Sequence, residues 1–302
     1  MTGTVEILLS TFNGTKYLPE LLESVWAQDY PDIALSVRDD GSTDGTPTLI
    51  AECAAARPKV SVTPGPNLGA GTSFLTLLGS VSPASRYAAF CDQDDVWLPG
   101  KLSAGVSALQ EFEGPALYCA AVNLVSADLS AIRVHRRCVR GPSFENALVE
   151  NIATGCTIVI NRPAIDLLGS RLPKDFLMHD AWCYLVVAGC GHVVYDPKPR
   201  VLYRLHRSNA IGVGRTLWAE WSGRARRQFR DGRERVLSRQ AEELRRLYGK
   251  DLSPDAVRSL GEFLVAQSQW QNRLRYAIRG AAHRQRPLDD WIYRLLYAAH
   301  RI

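Results

Sequence analysis

Three carboxylates, Asp92, Asp94 and Asp95, crowd the segment FCDQDDVW, directly after the apolar run YAAF and directly before Trp97. Like charges at close range repel and raise one another's pKa unless a cation neutralises them. At the end of an extended strand, D-x-D spacing lets Asp92 and Asp94 point the same way. Hard oxygen donors of this kind suit magnesium or manganese, which take one or two carboxylates plus substrate phosphates. The competing reading is an acidic turn that caps a helix beginning at LPGKL.

A second polar cluster, RDDGSTDGT, follows another apolar run. Asp39 and Asp40 could accept the imide N–H of a uracil or thymine and the ribose hydroxyls, and Gly41 lets a ligand approach the backbone. The same residues also read as a turn in which Ser42 or Thr43 caps a helix.

These clusters need elements to hold them. VEILL predicts a buried strand ending in the polar turn STFNG, and Leu18, Leu21, Leu22, Val25 and Trp26 share one face of a following helix. IALSV is a second strand, 46–56 a helix, KVSV a third strand with a Gly/Pro-rich loop, 74–78 part of a helix, and YAAFCDQDD a fourth strand. Strands alternating with helices imply right-handed crossovers and a mainly parallel sheet. Open sheets of this class bind ligands outside the carboxyl ends of their strands, so STFNG, RDDGSTDG and DQDD should converge on one crevice. Further on, ALYCAAVNLVS and TIVINR read as strands, DAWCYLVVAGC as a helix, and GHVVYDPKPRVLYRLH as two strands joined by a Pro-rich connection. From Arg215 the pattern is mainly helical.

Composition narrows the class. The chain has 302 residues, 46% of them apolar, which supports a sizeable core and argues against global disorder. The N-terminus shows no signal-peptide pattern, and no apolar window of about 18 residues predicts a transmembrane helix. The seven cysteines form no C-x-x-C pair and read as reduced thiols of a cytoplasmic protein. Residues 1–210 carry a net charge of −4 and residues 211–302 a net charge of +9, almost all of the latter arginine. The basic segment could meet anionic lipid, nucleic acid or an acidic partner.

Taken in order, VEILLSTFNGTKYLPELLESVWAQDYPD, VRDDGSTDGT, PNLGAGTSF and FCDQDDVWLPGKL resemble the nucleotide-sugar-binding half of family 2 glycosyltransferases of the GT-A fold. FLMHDAWCYLVVAGCG and YRLHRSNAIG resemble the bacterial rhamnosyltransferase-type branch, and the likeness spans residues 4–215. It implies an α/β GT-A catalytic domain over 1–214, with a nucleotide-sugar half to about residue 100 and an acceptor half over 101–214. A basic, helical region follows over 215–302.

Carried over residue by residue, the resemblance implies that Thr11, Phe12 and Asn13 cradle the base, with Phe12 able to stack on it. Asp39 or Asp40 would bond the base beside Gly41, and Asn67 and Gly69 would flank the donor. Asp92 would approach the ribose or the metal, and Asp94 would be the main ligand of a Mg2+ or Mn2+ cofactor. Asp95 would be an acidic neighbour, and His206 would complete the metal or diphosphate site. Asp180, in MHDAW, would be the catalytic base and His179 its orienting or acceptor-binding neighbour. Trp97 and Trp182 would stack on sugar or pack in the core, and Arg204 and Arg207 would meet phosphate.

The activity so implied is inverting transfer of a sugar, rhamnose from a dTDP-sugar, to a glycan or lipid-linked glycan of the bacterial surface. A UDP-hexose donor is the alternative. A nucleotidyltransferase would want a basic, Gly-rich phosphate loop after the first strand, where STFNGTKY offers only Lys16. A non-catalytic nucleotide-sugar-binding protein would lack turnover. RTLWAEWSGRARRQFRDGRERVLSRQ, within 215–240, mixes aromatics with arginine and suits peripheral contact with an anionic membrane at its inner face, or a helix packed on the catalytic domain. No nucleic-acid recognition motif accompanies it.

Overall fold

Strand β1 (Val5–Thr11) alternates between two cores: Val5, Ile7 and Leu9 enter one cluster and Leu8 the other. Side chains two apart share a face of a strand, so a strand covered on both faces reads as one continuous apolar run. Strand β4 (Tyr87–Asp92) divides in the same way, Tyr87, Ala89 and Cys91 against Ala88 and Phe90. The computed structural model describes residues 3–135, 138–205 and 235–302.

Strands β2 (Ile33–Asp39) and β3 (Val60–Pro64) complete a parallel set with β1 and β4, in the order β3-β2-β1-β4. The chain order reverses across β1, the position at which ligand crevices form. Helices α1 (Leu18–Trp26) and α2 (Thr46–Ala56) connect the first three strands, and α3 (Ala70–Gly79) leads into β4. In α1, Leu18, Leu21 and Val25 are buried while Leu22 and Trp26 sit at the edge of that face.

Beyond β4 come β5 (Val96–Trp97), α4 (Lys101–Leu109), β6 (Ala116–Val125), β7 (Ala131–His135) and α5 (Phe144–Ala147). Strand β8 (Val159–Asn161), α6 (Arg162–Gly169), α7 (His179–Cys190) and β9 (His192–Arg204) follow. Among the described residues, nine strands form one sheet that continues from β4 through β8, β6, β9 and β5, with β7 paired to β6. β8 is antiparallel to β4 and β6, so the sheet is mixed, with a parallel half carrying the polar strand ends.

Two local expectations are corrected. TIVINR contributes only the three residues of β8, because a 3-10 turn at Gly155–Thr157 occupies the preceding segment. The DPKPR stretch does not separate two strands. β9 runs through it as one strand, and its pairing with β6 jumps from Ala120↔Asp196 to Val122↔Val201. Pro197 and Pro199 lack the N–H a ladder requires, so the extra residues bulge out and pairing resumes beyond them.

Helices α8 (Val236–Tyr248), α9 (Pro254–Val265), α10 (Trp270–Arg279) and α11 (Pro287–Ala298) close the described chain. Leu237, Ala241, Leu244 and Tyr248 join the same core cluster as Leu8, Phe90 and Trp182. Burial of a large apolar side chain contributes about 1.5–3 kcal/mol, so α8 is fastened to this core, with the Tyr248 ring 6.0 Å from that of Trp182 on α7. The Arg-rich segment up to residue 234, with His206 and Arg207, lies outside the described residues.

Candidate active site

The strand register brings the polar ends together. Thr11 pairs with Asp39 across β1 and β2, and Ser10 with Asp92 across β1 and β4. Thr11 Oγ1 donates to Asp39 Oδ1 at 2.9 Å, and Ser42 donates through N–H and Oγ to the same carboxylate at 2.9 and 2.6 Å. Asp40 takes the other direction. It is ion-paired with Arg38 and accepts the N–H groups of Leu68 and Gly69, at 3.0 and 2.8 Å for Oδ2. Asp39 therefore shapes the RDDGS turn, and Asp40 ties that turn to the PNLG loop. Asn67 Oδ1 accepts Gly69 N–H at 3.0 Å, and Gly69 adopts φ 77°, a conformation that favours glycine.

The turn after β1 is held from the β4 side. Gln93, the central residue of D-x-D, accepts Phe12 N–H at Oε1 and donates from Nε2 to Phe12 C=O, each at 2.9 Å. A Cβ at Gly14 would come within 2.3 Å of Gln93 Oε1, so a side chain there would displace the Gln93 amide from Phe12. Asn13, with φ 49°, donates its N–H to Ser42 Oγ and accepts Thr43 N–H at Oδ1, both at 2.9 Å. The Phe12 side chain is left 45% exposed at the mouth of the crevice, free to offer its ring to a planar ligand.

Asp180 lies in the first turn of α7, beside Gly155 and close enough to Asp92 for its charge to act on that carboxylate. Asp180 Oδ1 accepts Ala181 N–H at 2.7 Å. Burial, then the carboxylates of Asp94 and Asp180, push Asp92 up to about 8. Burial, Asp94 and Asp92 raise Asp95 well above the carboxylate range. Asp95 Oδ1 accepts Arg204 N–H at 3.0 Å, while Oδ2 is buried with no hydrogen-bond partner among the described residues. Ligand atoms of Asp92, Asp95 and Cys156 lie within 4.8 Å of one another. The two carboxylates, with Asp95 Oδ2 orphaned, suit a hard divalent cation, whereas burial pushes the Cys156 thiol well above its usual range and leaves it no donor for one.

Trp97 and Trp182 follow the core-packing alternative: they are buried in the two cores and present no face to a sugar. Two other side chains are placed differently from the expectation. Arg204 does not reach for phosphate. Its guanidinium is buried, where it donates to Asp94 C=O at 2.8 Å, binds Ala127 C=O, pairs with Glu20 and lies over the Tyr17 ring. His179 is buried against Phe74, with ring centroids 4.1 Å apart, and against Gly155, and neither ring nitrogen has a hydrogen-bond partner among the described residues. Burial lowers its pKa to about 4, so the ring is neutral near pH 7.

Sequence reasoning missed Gln93 and Lys101. Lys101 is fully buried, with Nζ 3.4 Å from the centre of the Trp97 ring, and burial lowers its pKa to about 8. Asp92 acts on it electrostatically and Nζ has no hydrogen-bond partner among the described residues, so Lys101 places a titratable cation near the acidic turn. Nothing in LPGKL marks that role. A lysine at the start of a helix ordinarily faces water, and only the packing of Trp97 turns this one inward.

Residues 6–165 match the family model described as glycosyl transferase family 2. The chain belongs to that family. Among the relatives of this glycosyltransferase is the dTDP-rhamnosyl transferase RfbG of Shigella flexneri, 26% identical over 70% of this chain and 76% of that protein. The putative teichuronic acid biosynthesis glycosyltransferase TuaG of Bacillus subtilis is 26% identical over 63% of this chain and 74% of its own.

Solved structures show the same fold. TarS 1-349 of S. aureus in complex with UDP-GlcNAc superposes with a TM-score of 0.58 at 16% identity, covering 99% of this chain and 82% of that one. The mannosyltransferase PcManGT of Pyrobaculum calidifontis, in complex with GDP-Man and Mn2+, gives 0.52 at 16% identity over 98% and 86%. The glycosyltransferase thus has the GT-A fold, with a mixed sheet flanked by helices and further helices at its C-terminal end. Among the described residues no helix is long and apolar enough to cross a membrane.

Proposed function

We propose that this glycosyltransferase transfers L-rhamnose from dTDP-rhamnose, with inversion, to a hydroxyl of a bacterial surface glycan such as an O-antigen, lipopolysaccharide core or capsule. The observation that carries the reading is that Asp180, in the first turn of α7, lies within electrostatic reach of Asp92 at the end of β4. In this reading the strand-end carboxylates serve a cation and diphosphate, and Asp180 serves the acceptor. The likeness to RfbG favours the rhamnosyl donor. A UDP-hexose donor is the second reading, favoured by the UDP-GlcNAc complex of TarS.

In this mechanism Thr11, Phe12 and Asn13 receive the base, Phe12 against its face, with Asp39 and Gly41 beside it. Asp40, Asn67 and Gly69 hold the adjoining loop. Asp92 and Asp94 would hold a divalent cation, joined by His206. Bound there, the cation supplies charge neutralisation for the departing nucleoside diphosphate. Asp180 removes the proton from the acceptor hydroxyl as its oxygen attacks C1 from the face opposite the diphosphate. The C1–O bond to the diphosphate breaks with its electron pair leaving on the diphosphate, and the proton stays on Asp180 until water receives it. A single displacement of this kind needs one base and inverts the anomeric centre.

The test is thermal stabilisation of the full chain by dTDP, UDP, GDP and CDP, each with manganese or with EDTA. A ligand that binds only the native state raises apparent stability according to its affinity. The rhamnosyl reading expects the largest manganese-dependent shift with dTDP, followed by turnover of dTDP-rhamnose in the presence of acceptor. A larger shift with UDP transfers the assignment to a UDP-hexose, and no shift with any of the four removes the nucleotide-sugar reading.

A further inference from the structure

Helices α10 and α11 pack on one another with their tyrosines inward. Tyr276 and Tyr297 lie 4.8 Å apart between ring centres, and both contact Phe263. Their outward sides are apolar. Trp270, Leu274 and Ile278 recur every fourth residue along α10, and Leu288, Trp291 and Leu295 form a matching stripe on α11, each 48–69% exposed. Arg294 joins the two helices by donating to Ala277 C=O at 2.9 Å, next to Ile278 on one helix and Leu295 on the other. Monomeric surfaces scatter single apolar residues, whereas six large exposed apolar side chains on two packed helices, two of them tryptophans, mark a surface that something covers.

Charge indicates what covers it. Residues 266–302 hold seven arginines against two acidic residues, a net charge of +5. Arg275 and Arg279 lie exposed on the polar flank of the α10 stripe, and exposed Arg286 immediately precedes α11. The two acidic residues are engaged or shielded: Asp290 binds Arg294 and the backbone of Arg284, and Asp289 is half-buried. At 1.5 Å per residue, α10 and α11 are each shorter than about 20 Å, too short to span the roughly 30 Å of a bilayer core. Short helices with tryptophan and leucine on one side and arginine along the flank lie in the headgroup region of an anionic membrane.

We propose that the α10–α11 pair is a membrane-docking surface that seats the enzyme on an anionic lipid leaflet. The occupant is a bilayer rich in anionic headgroups. The tryptophans enter the interface while Arg275, Arg279 and Arg286 meet lipid phosphates. This surface is separate from the crevice and stands whether or not the donor assignment holds.

The test is sedimentation of the full chain with vesicles of phosphatidylcholine alone and of phosphatidylcholine mixed with phosphatidylglycerol. We expect binding to the mixed vesicles only, weakened by added salt. Trp270→Ser/Trp291→Ser should lower the partition coefficient at least tenfold, and Arg275→Glu/Arg279→Glu by about fivefold or more per arginine, since each basic residue near an anionic surface is worth about 1 kcal/mol. All four residues are exposed, so unchanged thermal unfolding and an unchanged nucleotide shift show that the variants are folded. Equal partitioning of wild type and both variants overturns the proposal. So does loss of binding in Trp218→Ser/Trp221→Ser while the α10–α11 variants still bind. A dimer in light scattering that Trp270→Ser/Trp291→Ser dissociates, with no vesicle binding by wild type, assigns the face to a second copy instead.

Discussion

Gln93 grips the backbone of Phe12 from both sides, accepting its N–H and donating to its C=O at 2.9 Å each. This pair locks the turn that follows β1 to the acidic turn that follows β4. The base-binding and cation-binding halves of the proposed donor site are therefore one rigid unit. Replacing Gln93 by Ala removes two hydrogen bonds, each worth about 0.5–1.5 kcal/mol. We expect a loss of about 1–2 kcal/mol in stability and roughly tenfold weaker nucleotide binding, read by calorimetry. Gly14→Ala, which drives a methyl into Gln93 Oε1, should reproduce the effect. Unaltered affinity in both variants would show that the clamp does not position the donor site.

Arg204 holds the same acidic turn from below through Asp94 C=O and Asp95. Arg204→Met keeps the backbone N–H to Asp95 but leaves the Asp94 and Ala127 carbonyls without their charged donor. Hydrogen bonds to charged groups contribute about 1.5–3 kcal/mol, which is the expected destabilisation in urea titrations. Arg204→Lys should not restore it, because an ammonium cannot reach both carbonyls and Glu20 as the guanidinium does. Full restoration by lysine would contradict the clamp.

His179 sets a pH dependence of stability. Burial holds its folded pKa down at about 4, against 6.5 for a solvated imidazole. A depressed histidine leaves the unfolded chain binding more protons between those values, so stability falls as pH drops from 6.5 towards 4 and is unaffected above that window. The slope approaches about 1.4 kcal/mol per pH unit for one proton. His179→Leu removes this contribution, so its unfolding free energy should decline less steeply over the window than that of wild type. Parallel declines would mean that the ring is not held neutral.

Asp94→Ala should abolish the manganese-dependent part of the nucleotide thermal shift and leave unfolding in the absence of ligand nearly unchanged. A wild-type shift that is the same in manganese and in EDTA would contradict the cation assignment.

Much of the donor side was legible because parallel strands buried on both faces appear as continuous apolar runs. VEILL, IALSV and YAAF each break into polar residues where the strand leaves the sheet. The α/β class and the convergence of Thr11, Asp39 and Asp92 follow from that pattern. The supporting residues were not legible, because their roles depend on neighbours far away in the chain. Gln93 works only with β1 beside β4. Arg204 is buried because β9 returns under the acidic turn towards Glu20 on α1. Trp97 and Lys101 cover one another. The proline pair predicts two strands where β9 is one, because proline normally ends pairing, and a bulge between Asp196 and Val201 absorbs it here. The amphipathic pattern of α10 and α11 misleads in the opposite sense, since tyrosine takes the inner side and Trp, Leu and Ile face out.

The most direct measurement of the central claim is turnover and donor binding in Asp180→Asn. The account predicts that kcat falls by about 10²–10⁴-fold, the range a general base supplies, while the manganese-dependent affinity for the nucleoside diphosphate stays within about twofold of wild type. Retained turnover, or donor affinity lost in parallel with turnover, would contradict the assignment of Asp180 as the base near Asp92.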